Sequence, residues 1–292
     1  MANLKEVRTR MVSVKSTQQI TKAMKMVSAA KLRRAQDKII KMRSYAQKLH
    51  EMMSGLSQNI DGSPVATYFE SKNSNKVLFV LVSSDRGLCG AFNSSLIKSM
   101  NYFITKEIGD NKGAFDILNI GKKGHDGMSK FKYNVADSND GFFNNLNWAD
   151  GERICQNVLN QFNEGKYAKV YLVYNEFKNA ATYFNRISQL LPIAAREEAE
   201  ESDSNANYIF EPSQGEILED LVPRSLKTTF YSALLDSNAS EHGARMTAMD
   251  NATENAQELL RSLSIEYNKA RQAAITNEIL EIVGGAEALE NG

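Results

Sequence analysis

The sequence predicts an α/β protein with long terminal helices, in which the two ends of the chain pair as an antiparallel coiled coil. Residues 1–54 contain neither Gly nor Pro, and residues 224–283 contain no Pro and only Gly243. Because both residue types break helix interiors, each end can form one helix, roughly 80–90 Å long at ~1.5 Å per residue. Between these ends the chain changes to short β-branched runs and Gly-containing loops, which indicates a sheet domain. Helices longer than an ordinary domain are expected to form a shaft that reaches into a partner.

The N-terminal helix is predicted over residues 1–58. Asn3 and Glu6 form a capping pair at its start, and Gly55 marks its end. A 3-4 spacing runs along the whole segment, which is typical of a coiled coil. Its positions are Leu4, Val7, Met11, Val14, Gln18, Thr21, Lys25, Ser28, Leu32, Ala35, Ile39, Met42, Ala46, Leu49, Met53 and Leu56.

The middle of this helix departs from the pattern. Between Gln18 and Ser28 the seam becomes polar, while Ile20, Met24 and Val27 form a different apolar face. We therefore expect this part of the helix to contact a second partner.

A Rossmann-like α/β domain is predicted over residues 76–193. Residues 77–82 are continuously apolar and rich in β-branched side chains, as in a strand that is buried on both faces. Further strands are predicted at 115–120, near Tyr133, at 169–177 and, running antiparallel, within 182–193; helices are predicted at 93–106, after 120 and at 147–162. Strands that alternate with helices indicate a mostly parallel sheet.

The C-terminal helix is predicted over residues 213–286, after an acidic loop at 194–207. Ser213 and Glu216 form its capping pair, and Gly284-Gly285 is expected to close it. Its apolar positions are Met249, Ala252, Ala256, Leu259 and Leu263, followed on a 4-3 spacing by Ile275, Ile279, Ile282, Ala286 and Leu289.

Charge is distributed unevenly in a chain of zero formal net charge. Residues 1–50 contain 13 basic and 2 acidic residues, whereas residues 213–292 contain 6 basic and 13 acidic residues. Opposite charges favour pairing of the two helices, and the basic end favours an acidic partner. The longest apolar run, at 77–82, is too short to span a membrane.

No catalytic or cofactor site is predicted. The loop at 84–91 follows a strand and precedes a helix, where phosphate-binding loops occur, but neither it nor 121–124 has the spacing of a nucleotide-binding motif. His50, His125 and His242 are interpreted as surface residues, and two cysteines give neither a disulfide framework nor a metal site.

Two other functions compete with a structural role. A basic helical hairpin can bind nucleic acid, although Tyr45 is its only aromatic residue before Tyr68. A nucleotide-dependent enzyme is the other alternative, and the motif spacing does not favour it.

Several long segments resemble the gamma subunit of F-type ATP synthases. They are residues 241–253 (EHGARMTAMDNAT), 267–276 (YNKARQAAIT) continuing through 281–283 (EIV), 20–27 (ITKAMKMV) and 84–93 (SDRGLCGAFN). In the last segment Ala91 stands where the family usually has a second glycine. The matches cover both ends and the middle of the chain.

This resemblance implies a central rotor without catalytic or nucleotide-binding activity of its own. Its terminal helices are expected to lie inside a hexamer of alpha and beta subunits, and its α/β domain to contact the epsilon subunit and the membrane rotor ring. No nucleic acid, metal or cofactor is expected. An immediate helix start leaves no room for a transit segment, so the expected location is peripheral, at the cytoplasmic side of a bacterial inner membrane.

The resemblance also implies contacts with the beta subunits. Arg271, Gln272 and Thr276 are expected to meet a loop of one beta subunit. Met24 and Arg245 match positions that approach an acidic segment of beta, and the basic surplus that includes Lys25 suits the same target.

Overall fold

The computed structural model describes residues 4–56, 64–109, 111, 113–131, 133–193 and 214–290. The elements are α1 (Leu4–Leu56), β1 (Val77–Val82), α2 (Phe92–Glu107), β2 (Phe115–Ile120), α3 (Lys122–Met128), β3 (Val135–Asn139), α4 (Trp148–Asn163), β4 (Lys169–Phe177), β5 (Tyr183–Leu191) and α5 (Gln214–Glu290). The predicted class, an α/β protein with two long terminal helices, is confirmed.

The five strands form one sheet in the order β3-β2-β1-β4-β5. The first four strands pair parallel, and β5 pairs antiparallel with β4. Strand direction therefore agrees with the mostly parallel sheet and antiparallel return that the sequence predicts.

Two apolar layers cover the sheet. On one face Val80 and Leu172 pack with residues of α4 and α5, such as Val158 and Phe230. On the other face Phe79 and Leu81 pack with α2 and α3. Alternate residues of β1 thus enter different cores, which explains why the strand is continuously apolar.

The chain divides into two compact units. The sheet unit comprises Ala29–Arg245, and the helix-end unit comprises Met1–Ser28 with Met246–Gly292. Both α1 and α5 continue from one unit into the other. The division at 58, 76, 193 and 213 stays a prediction, and the acidic loop at 194–207 lies outside the described residues.

The predicted seam of α1 is confirmed by burial. Its positions from Leu4 to Leu49 are all buried or half-buried, and Val7, Leu32, Ala35 and Ile39 are among the most enclosed. In the helix-end unit Thr21 bonds Thr253 and Lys25 bonds Asp250, so the two helices run antiparallel. The capping residues Asn3 and Ser213 lie outside the described residues.

Two predictions about the C-terminal end are wrong. The helix α5 does not close at Gly284-Gly285 but continues to Glu290, because an exposed glycine costs only about 1 kcal/mol in a helix and helix-forming Ala and Glu follow. Ile275, Ile279 and Ile282 do not continue the seam, since all three are exposed. The register set by the Thr21 and Lys25 pairs brings Leu4 opposite the segment around Ala270, so these isoleucines lie beyond the described part of α1.

Candidate functional site

The helix-end unit contains two of the predicted contact residues, Met24 and Lys25. Both are half-buried, and the Lys25 Nζ lies 2.5 Å from Asp250 Oδ1 on α5. The side chains of this ion pair remain about two-fifths exposed (40% and 42%). Because such exposed pairs are worth little, Lys25 is available to an external carboxylate at small cost.

Beside this pair, α1 presents the second apolar face that the sequence predicts. Ile20 and Val27 are 59% and 57% exposed, and the neighbouring Met26 is 61% exposed. Exposed apolar side chains that lie close together are typical of an interaction surface, so this face is a candidate contact surface. Met24 differs from them because it is partly covered within this chain.

The last part of α5 carries the other three predicted contact residues. Arg271, Gln272 and Thr276 are exposed, and the Thr276 hydroxyl donates to the Gln272 carbonyl oxygen at 2.9 Å. Gln272 and Thr276 therefore share one face, as their spacing of four predicts. Exposed apolar residues surround them: Ile275, Ile279, Leu280, Ile282 and Val283.

Arg245 lies in the sheet unit and is 9% exposed. One guanidinium nitrogen, Nη1, lies 2.6 Å from Glu241 Oε1, and the other, Nη2, donates to the carbonyl oxygens of Arg86 and Gly87 at 3.0 and 3.2 Å. Burial raises the pKa of Glu241, and the Arg245 charge opposes that shift. Arg245 thus fixes the loop between β1 and α2.

That loop also contains an internal anion. The Asp85 carboxylate accepts hydrogen bonds from the backbone amides of Lys122, Gly141 and Phe143, at 3.2, 2.7 and 2.9 Å. Backbone amides that converge on one point can bind an anion, and these three amides are called the amide nest. The Asp85 carboxylate of the protein itself occupies it.

The second ligand position of such a sheet is also filled. In open α/β sheets, ligands bind where the strand order reverses, at the carboxyl ends of the strands, here between β1 and β4. The Ser237 hydroxyl donates to the Val82 carbonyl and the Ser240 hydroxyl to the Asn175 carbonyl. The helix α5 of this chain therefore lies in that crevice itself.

The comparisons with known proteins agree with this architecture. A profile of the protein family described as "ATP synthase" matches residues 3–289. The ATP synthase gamma chain of Cytophaga hutchinsonii is 50% identical over 295 residues, covering 100% of both chains. That of Flavobacterium johnsoniae is 51% identical over 293 residues, covering 99% of both.

The chain belongs to the ATP synthase gamma family.

Solved structures agree with the gamma-family fold. The central stalk of the Tetrahymena thermophila mitochondrial ATP synthase matches with a TM-score of 0.59 and 30% identity, over 80% of this chain and 99% of that chain. A chain of the Euglena gracilis mitochondrial ATP synthase matches with a TM-score of 0.70 and 22% identity, over 99% of this chain and 95% of that chain. In the part of the gamma chain that the structure describes, no helix combines the length and apolarity that a membrane crossing requires.

One histidine differs from its predicted surface position. His125 is exposed as predicted, but His242 is half-buried and its Nδ1 has no hydrogen-bond partner. Burial, aided by the charges of Arg245 and Lys31, lowers the pKa of His242 to about 4. The surface prediction fails because this part of α5 is enclosed on almost all sides. The side chain of His50 lies outside the described residues.

The two cysteines form no disulfide and are both buried. Burial raises the pKa of the Cys89 thiol, and it raises that of Cys155 to about 12. Among the described residues, no cluster of His, Cys, Asp and Glu has the arrangement of a metal site.

Sequence reasoning missed Asp85, Ser237, Ser240 and Glu241. The sequence contains one usable signal, a polar Asp236-Ser237 directly after the apolar Ala233-Leu234-Leu235. Polar residues within such a run indicate specific buried partners. The hydrogen-bond partners of Ser237 and Ser240 lie 155 and 65 residues away in the chain, and the amide donors to Asp85 lie 37 to 58 residues away, so the sequence alone does not name them.

Proposed function

We propose that this chain is the turning central subunit of an F-type ATP synthase, coupling ion flow through the membrane sector to ATP synthesis or hydrolysis. The observation that carries the proposal is full-length identity of 50–51% to bacterial ATP synthase gamma chains. The paired helix ends and the exposed apolar residues on them support it, since a rotor must present an uneven surface to its surroundings.

The proposal assigns no catalysis to this chain. Its own carboxylate fills the amide nest, and its own helix fills the crevice of the sheet. ATP would be made and hydrolysed in the beta subunits. The chain would change which beta site is open only by making different contacts with each of them.

The proposed partners are the alpha and beta subunits around the paired helices, with the epsilon subunit and the membrane rotor ring at the α/β domain. Arg271, Gln272 and Thr276 would contact one loop of a beta subunit. Met24 and Lys25 would face an acidic segment of beta. The complex would lie at the cytoplasmic side of a bacterial inner membrane.

Arg245 has a different part in this proposal. Its guanidinium is committed to Glu241 and to two carbonyls of the loop. We therefore propose that Arg245 acts through that loop. Arg86 and Leu88 are exposed there, and Leu88 has a φ of 62°, which is rare for a non-glycine residue.

Co-purification tests the function directly. A tagged copy of this chain, expressed in cells that contain the whole complex, should retain alpha and beta chains, each in about threefold excess as a ring of alternating subunits requires. An untagged strain is the control. Recovery of the chain alone, or its salt-dependent retention on DNA with no alpha or beta chains, would contradict the proposal.

A further inference from the structure

We propose that Ser237, Ser240 and Arg245 form a hydrogen-bonded joint that transmits torque between the sheet domain and α5. The three side chains lie within about two turns of α5, at spacings of three and five residues, and point toward different segments of the sheet edge. All three lie in the sheet unit, and none belongs to an exposed partner surface. The inference rests on the proposed rotary function and assigns these residues a positioning role within it.

Each donor meets a different segment of the carboxyl edge of the sheet. Ser237 Oγ lies 3.3 Å from the carbonyl oxygen of Val82, the last residue of β1. Ser240 Oγ lies 3.1 Å from the Asn175 carbonyl in β4. The Arg245 guanidinium holds the loop after β1 through Arg86 and Gly87.

The geometry shows that these donors act across the joint and not within the helix. A serine inside a helix commonly bonds the carbonyl one turn earlier in its own helix. Ser237 and Ser240 are each only 1% exposed, and both reach a strand instead. A buried carbonyl that lost its donor would be left unsatisfied.

Two neighbouring contacts limit movement of α5 at the same edge. A Cβ added at Gly243 would lie 2.7 Å from the Ala180 carbonyl oxygen, so the helix backbone comes very close to the β4–β5 turn. Asp236 accepts from Arg43 of α1, whose guanidinium also donates to the Phe177 carbonyl at the end of β4. Beside the joint, Arg43 thus connects α1 to both α5 and the end of β4.

Directional bonds matter here because apolar packing alone permits sliding. Dispersion and hydrophobic contacts depend weakly on direction, whereas a hydrogen bond weakens steeply when its angle changes. Donors aimed at three separate segments resist both rotation and translation of α5. In a rotor, that resistance would keep the helix turning in step with the sheet domain.

The test compares two matched double variants in the assembled ATP synthase complex in vesicles. Ser237→Ala with Ser240→Ala removes both hydroxyls of the joint. Ser262→Ala with Ser264→Ala makes the same change elsewhere on α5, where Ser262 is exposed and Ser264 half-buried. ATP hydrolysis and ATP-driven ion uptake are measured per assembled complex, well below the melting temperature of each variant.

We expect the joint variant to hydrolyse ATP within about twofold of wild type while its ion uptake per ATP falls severalfold, most steeply against an imposed gradient. The control variant should keep the wild-type ratio. A purely structural role would change the amount of complex and not this ratio. If the joint variant does not assemble, the same measurement is made on Ser240→Ala, for which a smaller fall in the ratio is expected.

An unchanged ratio in an assembled joint variant would overturn the inference. It would leave the proposed function intact, because that function is tested by co-purification of the wild-type chain with alpha and beta subunits. Failure of the wild-type chain to join alpha and beta subunits would overturn the proposed function itself. Failure of the inference is thus observed with the joint variant, and failure of the proposed function with the wild-type chain.

Discussion

Glu241 and Arg245 form a buried ion pair in the sheet unit. The Glu241 side chain is 7% exposed and that of Arg245 is 10% exposed, so neither has water as an alternative partner. Removing one partner of a buried ion pair leaves the other charge uncompensated, which costs more than the pair itself contributes.

We expect Glu241→Ala to lower the free energy of unfolding of the isolated chain by about 3 kcal/mol or more. The matched control is Asp220→Ala, which breaks an Arg–carboxylate pair of the same i,i+4 spacing on α5, with side chains 60% and 82% exposed. Such an exposed pair should contribute less than about 1 kcal/mol. Urea titration followed by circular dichroism gives both values, and equal losses would contradict the buried-pair argument.

Two glycines of α5 should respond in opposite ways to alanine. At Gly243 the added Cβ would meet the Ala180 carbonyl oxygen, and a backbone atom cannot move aside cheaply. Overpacking costs about 1–3 kcal/mol, which outweighs the gain of about 1 kcal/mol in helix propensity. At Gly284 nothing lies within 4 Å, so only the gain applies.

Gly243→Ala is therefore expected to lower the unfolding midpoint, and Gly284→Ala to raise the helix content or stability of the C-terminal end. Thermal unfolding followed at 222 nm compares the two variants with wild type. A stabilising Gly243→Ala would contradict the close approach of α5 to the β4–β5 turn.

At the scale of the elements, the continuity of α1 is the feature most open to test. Thr21 is 9% exposed, and its hydroxyl bonds that of Thr253 at 2.8 Å. Proline at this position removes a helix hydrogen bond and clashes with the preceding turn, at a cost of ~3 kcal/mol or more. We expect Thr21→Pro to disrupt the helix-end unit and to prevent normal turnover of the complex.

Thr21→Val is the control, because it loses the hydroxyl contact but keeps the helix. Hydrogen exchange of the amides in residues 4–28 separates the two effects: Thr21→Pro should speed exchange on both sides of the substitution, and Thr21→Val should not. Normal assembly and turnover of Thr21→Pro would count against a continuous α1.

The helix α5 contains a proline, Pro223, and packing against the sheet explains why the helix continues through it. Pro223 lies inside α5, nine residues after its first residue, Gln214. Leu218, Leu221 and Val222, which precede it, are buried in the core beneath the sheet. Burial of large apolar side chains contributes roughly 1.5–3 kcal/mol each, enough to hold the segment helical despite the missing amide.

The sequence was sufficient for elements whose signal is local. Strands β1, β2 and β4 begin and end at the predicted residues, because each is a short segment rich in β-branched, aromatic and other apolar side chains. Helix α4 follows its cap, with Asn147 accepting from the Asp150 amide. The seam of α1 was predictable because every seventh residue repeats one environment.

Features that depend on distant residues were not predictable. Ile279 is covered only if α1 extends far enough to lie beside it. The periodicity of α5 does not reveal this register between the two helices. The same holds for His242, enclosed by elements far away in the chain, and for Asp85, whose three amide donors lie at the start of α3 and in the segment after β3. At the site, periodicity placed Gln272 and Thr276 on one face, but it gave no sign that Arg245 is buried.

At the scale of the whole molecule, the rotary proposal predicts that the exposed end of α5 contacts a beta subunit. Among the described residues, the side chains of Arg271 and Gln272 make no hydrogen bond that would explain a structural role, and both are exposed. If they contact a beta subunit in turn, their loss should change coupling and leave the folding of the isolated chain unchanged.

We expect Arg271→Ala with Gln272→Ala to change the free energy of unfolding of the isolated chain by no more than about 0.5 kcal/mol, as for other surface substitutions. ATP-driven ion pumping by the reconstituted complex should fall severalfold. Gln257→Ala with Arg261→Ala is the matched control, since it removes the same two residue types from exposed positions earlier on α5. Pumping is measured as quenching of a pH-sensitive dye, with hydrolysis recorded in parallel. Equal pumping by both double variants would contradict the assignment of Arg271 and Gln272 to a beta contact. A loss confined to Arg271→Ala with Gln272→Ala would place that contact on the part of α5 that extends beyond the described end of α1.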